Sequence, residues 1–107
     1  MSAPADVLTT FAARFRPDAA GDLRAVYQLH LTGDNGGLWH FAIADQQCRL
    51  APGQADDPSV TITMSVADFS QLIAGQLDGV SAYLAGRIQI AGNLSLVTRL
   101  QSLFGFQ

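Results

Sequence analysis

Val60-Thr61-Ile62-Thr63-Met64-Ser65-Val66-Ala67-Asp68-Phe69 decides how the rest of the chain is read. Val60, Ile62 and Met64 alternate with Thr61 and Thr63, a β-branched strand with one apolar side. The period then changes at once. Ser65 stands where a helix N-cap belongs, and Asp68 follows at the spacing of a capping box. Met64 and Phe69 occupy the two positions of a hydrophobic staple, and Leu72 and Ile73 extend the apolar face of a helix that Gly75 closes. A strand that runs straight into a helix needs the two apolar surfaces to meet, so helices pack on the Ile62 side of the sheet.

The same logic works outward. Residues 25–32 alternate, with Tyr27, Leu29 and Leu31 on one side and Gln28 and His30 on the other. Gly33-Asp34-Asn35-Gly36-Gly37 supplies a hairpin connection, and residues 38–44 return with Trp39, Phe41 and Ile43 on one face. A turn near Asp45-Gln46-Gln47 leads to a short strand over 48–51, and 52–58 reads as a loop. Residues 4–16 form a helix with Val7, Leu8, Phe11 and Phe15 on one face, stopped by Pro17, with a further turn of helix near 19–23. A second central helix starts at Asp78, carries Val80, Tyr83 and Leu84, and ends at Gly86. Residues 87–90 form a fifth strand, and Asn93 caps a last helix bearing Leu94, Leu96, Val97, Leu100, Leu103 and Phe104. Strands therefore precede most helices, which predicts an α+β fold of about five strands and four or five helices. One sheet face is apolar (Tyr27, Leu29, Trp39, Phe41, Ile43, Ile62, Met64, Ile88, Ile90). The other is polar or small (Gln28, His30, His40, Ala42, Thr61, Thr63, Gln89), so the helices gather on one side.

Composition narrows function. The 107 residues fit one domain spanning 1–107, and 49% hydrophobic with 14% charged residues is too apolar for a disordered chain. All six basic residues are scattered Arg in a chain of net charge −3, so a nucleic-acid partner is not expected and a strongly anionic membrane is a poor permanent one. Contact with a membrane is expected to be transient. The single cysteine, Cys48, forms no intramolecular disulfide, and the start of the chain lacks a secretory pattern. A cytoplasmic, bacterial-style protein is the expectation.

Catalytic signals are thin. His30 and His40 lie on the polar faces of neighbouring strands, but no third ligand accompanies them, so no metal site is expected. Cys48 falls mid-strand, without the base or helix N-terminus that activates a thiol. Asp56 and Asp57 are adjacent in a Pro-flanked loop with no apolar setting to raise a pKa. No Gly-x-Ser-x-Gly and no phosphate cradle is present. The chain is expected not to be an enzyme and to need no cofactor. Its informative inventory is apolar: Trp39, Phe41, Phe69, Tyr83, Phe104 and Phe106 should face one interior. A filled core and a ligand cavity draw on the same residue types, and spacing does not separate them.

A family resemblance does. Gly36-Gly37-Leu38-Trp39, Cys48 to Gly53, Pro58 to Ser65, Asp68-Phe69 and Gly75 to Asp78 come in the order and spacing of the sterol carrier protein type 2 domain. The most diagnostic run is Ala82-Tyr83-Leu84-Ala85-Gly86-Arg87-Ile88-Gln89-Ile90-Ala91-Gly92-Asn93, followed by a Leu-rich helix. The chain resembles that family over about its whole length. The resemblance implies a five-stranded, mostly antiparallel sheet covered on one face by helices that enclose a hydrophobic tunnel. It implies an intracellular lipid-binding or lipid-transfer role for a fatty acid, fatty acyl-CoA, phospholipid or isoprenoid. The tunnel lining it implies is Trp39, Phe41, Ile62 and Met64 from the sheet, and Phe69, Leu72, Ile73, Leu77, Val80, Tyr83 and Leu84 from the middle helices. The last helix would add Leu94, Val97, Thr98 and Phe104. Val80 and Thr98 stand where better-known relatives carry Gln. Within these 107 residues there is no peroxisomal tail and no thiolase or dehydrogenase domain. The alternative is an accessory factor presenting a lipid to partner enzymes, as in isoprenoid quinone synthesis; a lipid-modifying enzyme is a more distant third. A C-terminal helix frays readily, so residues 94–107 are expected to act as a lid over the tunnel.

Overall fold

The computed structural model describes residues 4–33 and 36–104, with side chains placed for all of these except residues 4–7 and 101. The elements run α1 (Pro4–Ala13), α2 (Pro17–Ala20), β1 (Ala25–Thr32), β2 (Gly37–Ala44), β3 (Gln47–Pro52), β4 (Val60–Ser65), α3 (Val66–Ile73), α4 (Gly79–Leu84), β5 (Gln89–Gly92) and α5 (Leu94–Phe104). The five strands form an open sheet in the order β3-β2-β1-β4-β5. β1 pairs parallel with β4, and the other three pairings are antiparallel. The α+β class and the strand count are as the alternation predicts, and the mostly antiparallel pairing is as the family resemblance implies.

Register lines the apolar residues into rows across the sheet. Trp39 pairs with Leu29, Leu29 with Ile62, and Ile62 with Ile90. A second row runs through Phe41, Tyr27 and Val60. Both rows face the helices, and Tyr27, Leu29, Phe41, Val60 and Ile62 are all buried there.

The opposite face departs from the expected polar surface. To bring β4 beside β1, the chain from Gly53 to Ser59 crosses the sheet on the side away from the helices. Gln28 lies beneath that crossing and is only 1% exposed. Its amide donates to the carbonyls of Trp39 (3.0 Å) and Gly53 (3.3 Å), and its carbonyl oxygen accepts from the Ala55 amide at 2.7 Å. Every polar atom of that side chain is thus used, the condition for burying it without penalty. His40, opposite Gln28 in the register, bonds the same Gly53 carbonyl through Nδ1 at 3.0 Å and is half-buried, whereas His30 is exposed. The two histidines have different surroundings, and no metal-binding group of His, Cys, Asp or Glu occurs among the described residues.

Local signals explain the helix ends. Ser65 accepts from the Asp68 amide at 3.0 Å, and Asp78 accepts from the Ser81 amide at 2.9 Å. Both α3 and α4 finish in a left-handed glycine, Gly75 (φ 78°) and Gly86 (φ 80°). The amides of Gln76 and Arg87 return to the carbonyls of Gln71 and Ala82, the bond pattern of a Schellman motif. That motif uses Arg87, so β5 begins at Gln89, two residues later than the alternation suggests. Pro17 both ends the first helix and opens α2, which spans 17–20, where the sequence reading placed a turn near 19–23. The tip of the β1–β2 hairpin, Asp34-Asn35, and the Phe106 position lie outside the described residues.

α5 is anchored along its length. The Tyr27 hydroxyl donates to the Leu96 carbonyl at 2.8 Å, Arg99 donates to the carbonyls of Ala19 and Ala20, and the Arg16 amide donates to the Leu103 carbonyl at 2.7 Å. Burial pushes the Tyr27 hydroxyl up to about 12, against a small opposing pull from Arg99. These ties do not suit the expected lid over 94–104; residues 105–107 of that expectation lie outside the described structure.

Gly92 shows how closely the outer strands approach. At φ 113°, a Cβ there would stand 2.8 Å from the Ser59 carbonyl oxygen. Gly53 also has positive φ (96°), but open space around it. Gly53→Ala should cost about 1–2 kcal/mol from backbone conformation alone. Gly92→Ala should cost clearly more, because β5 must shift away from β4. Urea unfolding of both variants measures the difference, and equal losses would contradict the close approach.

Candidate functional site

The helices do not settle fully onto the apolar rows. A cavity of about 330 Å³ lies between them and the sheet, at the small end of the ~300–1,000 Å³ range of ligand pockets. Its sheet side is formed by Leu29, Phe41, Ile62, Met64 and Ile90. Phe69 and Leu72 of α3, Gly79, Val80 and Tyr83 of α4, and Leu94, Val97, Thr98 and Leu100 of α5 form the opposite walls. Ile88 closes the side before β5, and Phe11 reaches in from α1. Among these described lining residues none carries a charge. The polar side chains are Tyr83 and Thr98, and the Thr98 hydroxyl already donates to the Ser95 carbonyl at 2.8 Å.

Exposure locates the mouth. Phe11, Leu29, Phe41, Ile62, Met64, Phe69, Leu72, Ile88 and Leu100 are buried, whereas Val80 (58%), Tyr83 (43%) and Leu94 (51%) are exposed, as is Thr98. The cavity therefore opens between α4 and the first half of α5. α4 stands out from the body there. Of its six residues only Ala82 is buried.

Ten of the fifteen residues that the sequence proposes for the lining meet around this void: Phe41, Ile62, Met64, Phe69, Leu72, Val80, Tyr83, Leu94, Val97 and Thr98. Five lie elsewhere. Trp39, at the end of its row beside Leu29, is half-buried against the core and does not line the void. Ile73 is buried in the solid core, and Leu77 packs against that core from the α3–α4 link. Leu84 is 78% exposed on the outer side of α4. Phe104 is buried behind Phe11, stacked on it with ring centroids 4.1 Å apart. Phe11, Leu29, Gly79, Ile88, Ile90 and Leu100 complete the lining and were not proposed for it. All but Gly79 lie on apolar faces legible in the sequence. Their place at the void follows from register and helix tilt, which periodicity does not carry.

Arg87 and Asp68 tie two walls together. They form a hydrogen-bonded ion pair, adjacent in sequence to the lining residues Ile88 and Phe69. The hydrogen bond from Arg87 holds the Asp68 carboxyl below its ordinary value, helped by the charge of Arg87 and the Ser65 cap. Cys48 shows the opposite effect; burial pushes its thiol up to about 11, so it stays protonated near neutrality.

A profile of the SCP-2 sterol transfer family matches residues 8–105, and the chain belongs to that family. Hydroxysteroid dehydrogenase-like protein 2 of Bos taurus is 32% identical over 81 residues, covering 75% of this chain and 19% of the bovine protein. This chain thus spans about a fifth of that relative. Among solved structures, a double mutant of the sec-alkyl sulfatase PisA1 matches with a TM-score of 0.85 at 16% identity, over 96% of this chain and 16% of the sulfatase. Palmitated SCP2L2 of Aedes aegypti matches with a TM-score of 0.73 at 21% identity, over 92% of this chain and 90% of the mosquito protein. The two structural likenesses establish the fold.

The ion pair has a testable sign. A carboxyl held low contributes stability above its unfolded value near 4, and loses it as pH falls through the folded value. Asp68→Asn should therefore lower the urea midpoint at pH 7, with a smaller gap to the parent protein at pH 3. An equal gap at both pH values would contradict the pairing.

Proposed function

We propose that this protein holds a long-chain lipid, with its apolar chain between the sheet and the helices, and does no chemistry on it. The observation that carries this reading is the cavity itself: apolar, without a charged side chain among its described lining residues, and open at one side between α4 and α5. The candidate cargoes are a fatty acid, fatty acyl-CoA, phospholipid or isoprenoid. Membership of a sterol transfer family supports the class of ligand. A palmitated relative of the same fold supports an acyl chain as one occupant.

The energetics suit reversible carriage. A fully buried sixteen-carbon chain would gain roughly 13 kcal/mol at about 0.8 kcal/mol per CH₂. Lost rigid-body and chain freedom would remove about 4–15 kcal/mol of that. A micromolar affinity needs no precise polar contact.

A second reading has its own support. The chain corresponds to about a fifth of the bovine relative and a sixth of the sulfatase, so the same domain can serve as the lipid-holding part of a larger enzyme or assembly. In that case the cargo would be handed to a partner's active site, and a stable complex would be recovered with the lipid.

Native mass spectrometry of the purified protein, followed by lipid extraction, tests the central reading. A bound long-chain compound is expected; an empty protein with no affinity for any such compound would contradict it. Val97→Trp should fill the void from its half-buried wall and weaken lipid binding at least tenfold (about 1.4 kcal/mol) with the fold intact. Unchanged binding in that variant would place the lipid elsewhere.

A further inference from the structure

The two ends of the cavity differ. At the mouth stand exposed residues of α4 and α5; at the deep end stand buried rings. Phe11 meets Phe41 with centroids 5.3 Å apart and Phe69 at 5.7 Å, and all three rings line the void. Phe104 stacks on Phe11 at 4.1 Å and 19° between planes, yet does not line it. The Phe11 ring is thus a partition, with the hollow before it and the solid aromatic core behind. It is also the only described α1 residue that lines the cavity, so no neighbouring turn of its helix shares the role.

We propose that Phe11 is the floor that sets how long an apolar chain this site accepts. The ligand is then a single-chain lipid that enters tail first and keeps its polar head at the α4–α5 rim. This inference rests on the lipid-holding reading above. Its first support is electrostatic. A carboxylate or phosphate carried inward would lose its hydration and meet no cation among the described lining residues. The head therefore stays by Tyr83 and Thr98, where water reaches it. The second support is packing. Each further CH₂ drawn inside should tighten binding about fourfold until the terminal methyl reaches Phe11. Beyond that point another CH₂ either stays in water at the rim or displaces a ring that Phe104 holds from behind, and neither strengthens binding.

Displacement of bound cis-parinaric acid by the saturated series from octanoate to arachidate reads this directly. In the parent protein, affinity should climb and then level at one chain length, with the same break for the methyl esters. Phe11→Leu should move the break to a longer acid, and Phe11→Trp to a shorter one. Circular dichroism identifies which variants are folded. A parent curve that keeps rising through arachidate would overturn the floor, as would a break that stays put in a folded variant. Should neither variant fold, the parent curve decides alone. Failure of cis-parinaric acid to bind at all would remove the lipid-holding reading itself, a result distinct from an unmoved break.

Discussion

The Phe41 ring is the point from which the interior divides into a solid half and a hollow half. Tyr27 stacks on it at 4.8 Å, Phe11 meets its edge at 5.3 Å, and Phe104 does so at 5.6 Å. These contacts bring α1, β1, β2 and the end of α5 into one aromatic cluster, each pair adding to the area it buries. With that end fixed, α5 is held at its own angle to the sheet. The Tyr27–Leu96 bond and the reach of Arg99 to the α2 carbonyls keep it there. The helix cannot settle onto the row of Leu29, Ile62 and Ile90, whose side chains are too short to close the gap. The unfilled space forfeits dispersion contacts, which an alkyl chain lying in it would restore.

The arginines serve this arrangement. Arg14 donates to the Ile73 carbonyl at the end of α3, Arg99 to the carbonyls ending α2, Arg24 pairs with Asp45, and Arg87 with Asp68. Cations placed on carbonyls at helix ends are well matched to the local dipole. Arg14, Arg87 and Arg99 thereby tie neighbouring elements together, and no charged side chain is found among the described lining residues of the cavity.

Much of this was legible in the residues. Alternation assigned the strands, and Ser65 with Asp68 located the start of α3, because those signals act within a few residues. What stayed hidden depends on distant parts of the chain. Gln28 reads as one more residue of the polar face, but the Gly53–Ser59 crossing, forced by the parallel β1–β4 pairing, covers it. Arg87 reads as the start of a strand, but it completes the Schellman turn that ends α4. The site divides in the same way. Ten of the residues that the resemblance and the apolar faces single out meet around the cavity. Phe11 and Phe104 carry identical local signals, and only their stacking order decides which one meets the hollow. Leu84 lies on the outer surface of α4 because that helix buries only Ala82.

The central claim is that an alkyl chain lies between the sheet and the helices, in the hollow beside Phe41. Intermolecular NOEs between protonated palmitate and methyl- and ring-protonated, otherwise deuterated protein measure this most directly. The chain should show contacts to Ile62, Met64, Ile90 and Val97, with its terminal methyl near the Phe11 and Phe41 rings. Contacts confined to Thr61, Thr63 and Ala91 on the face away from the helices, or no contacts at saturating palmitate, would contradict the account.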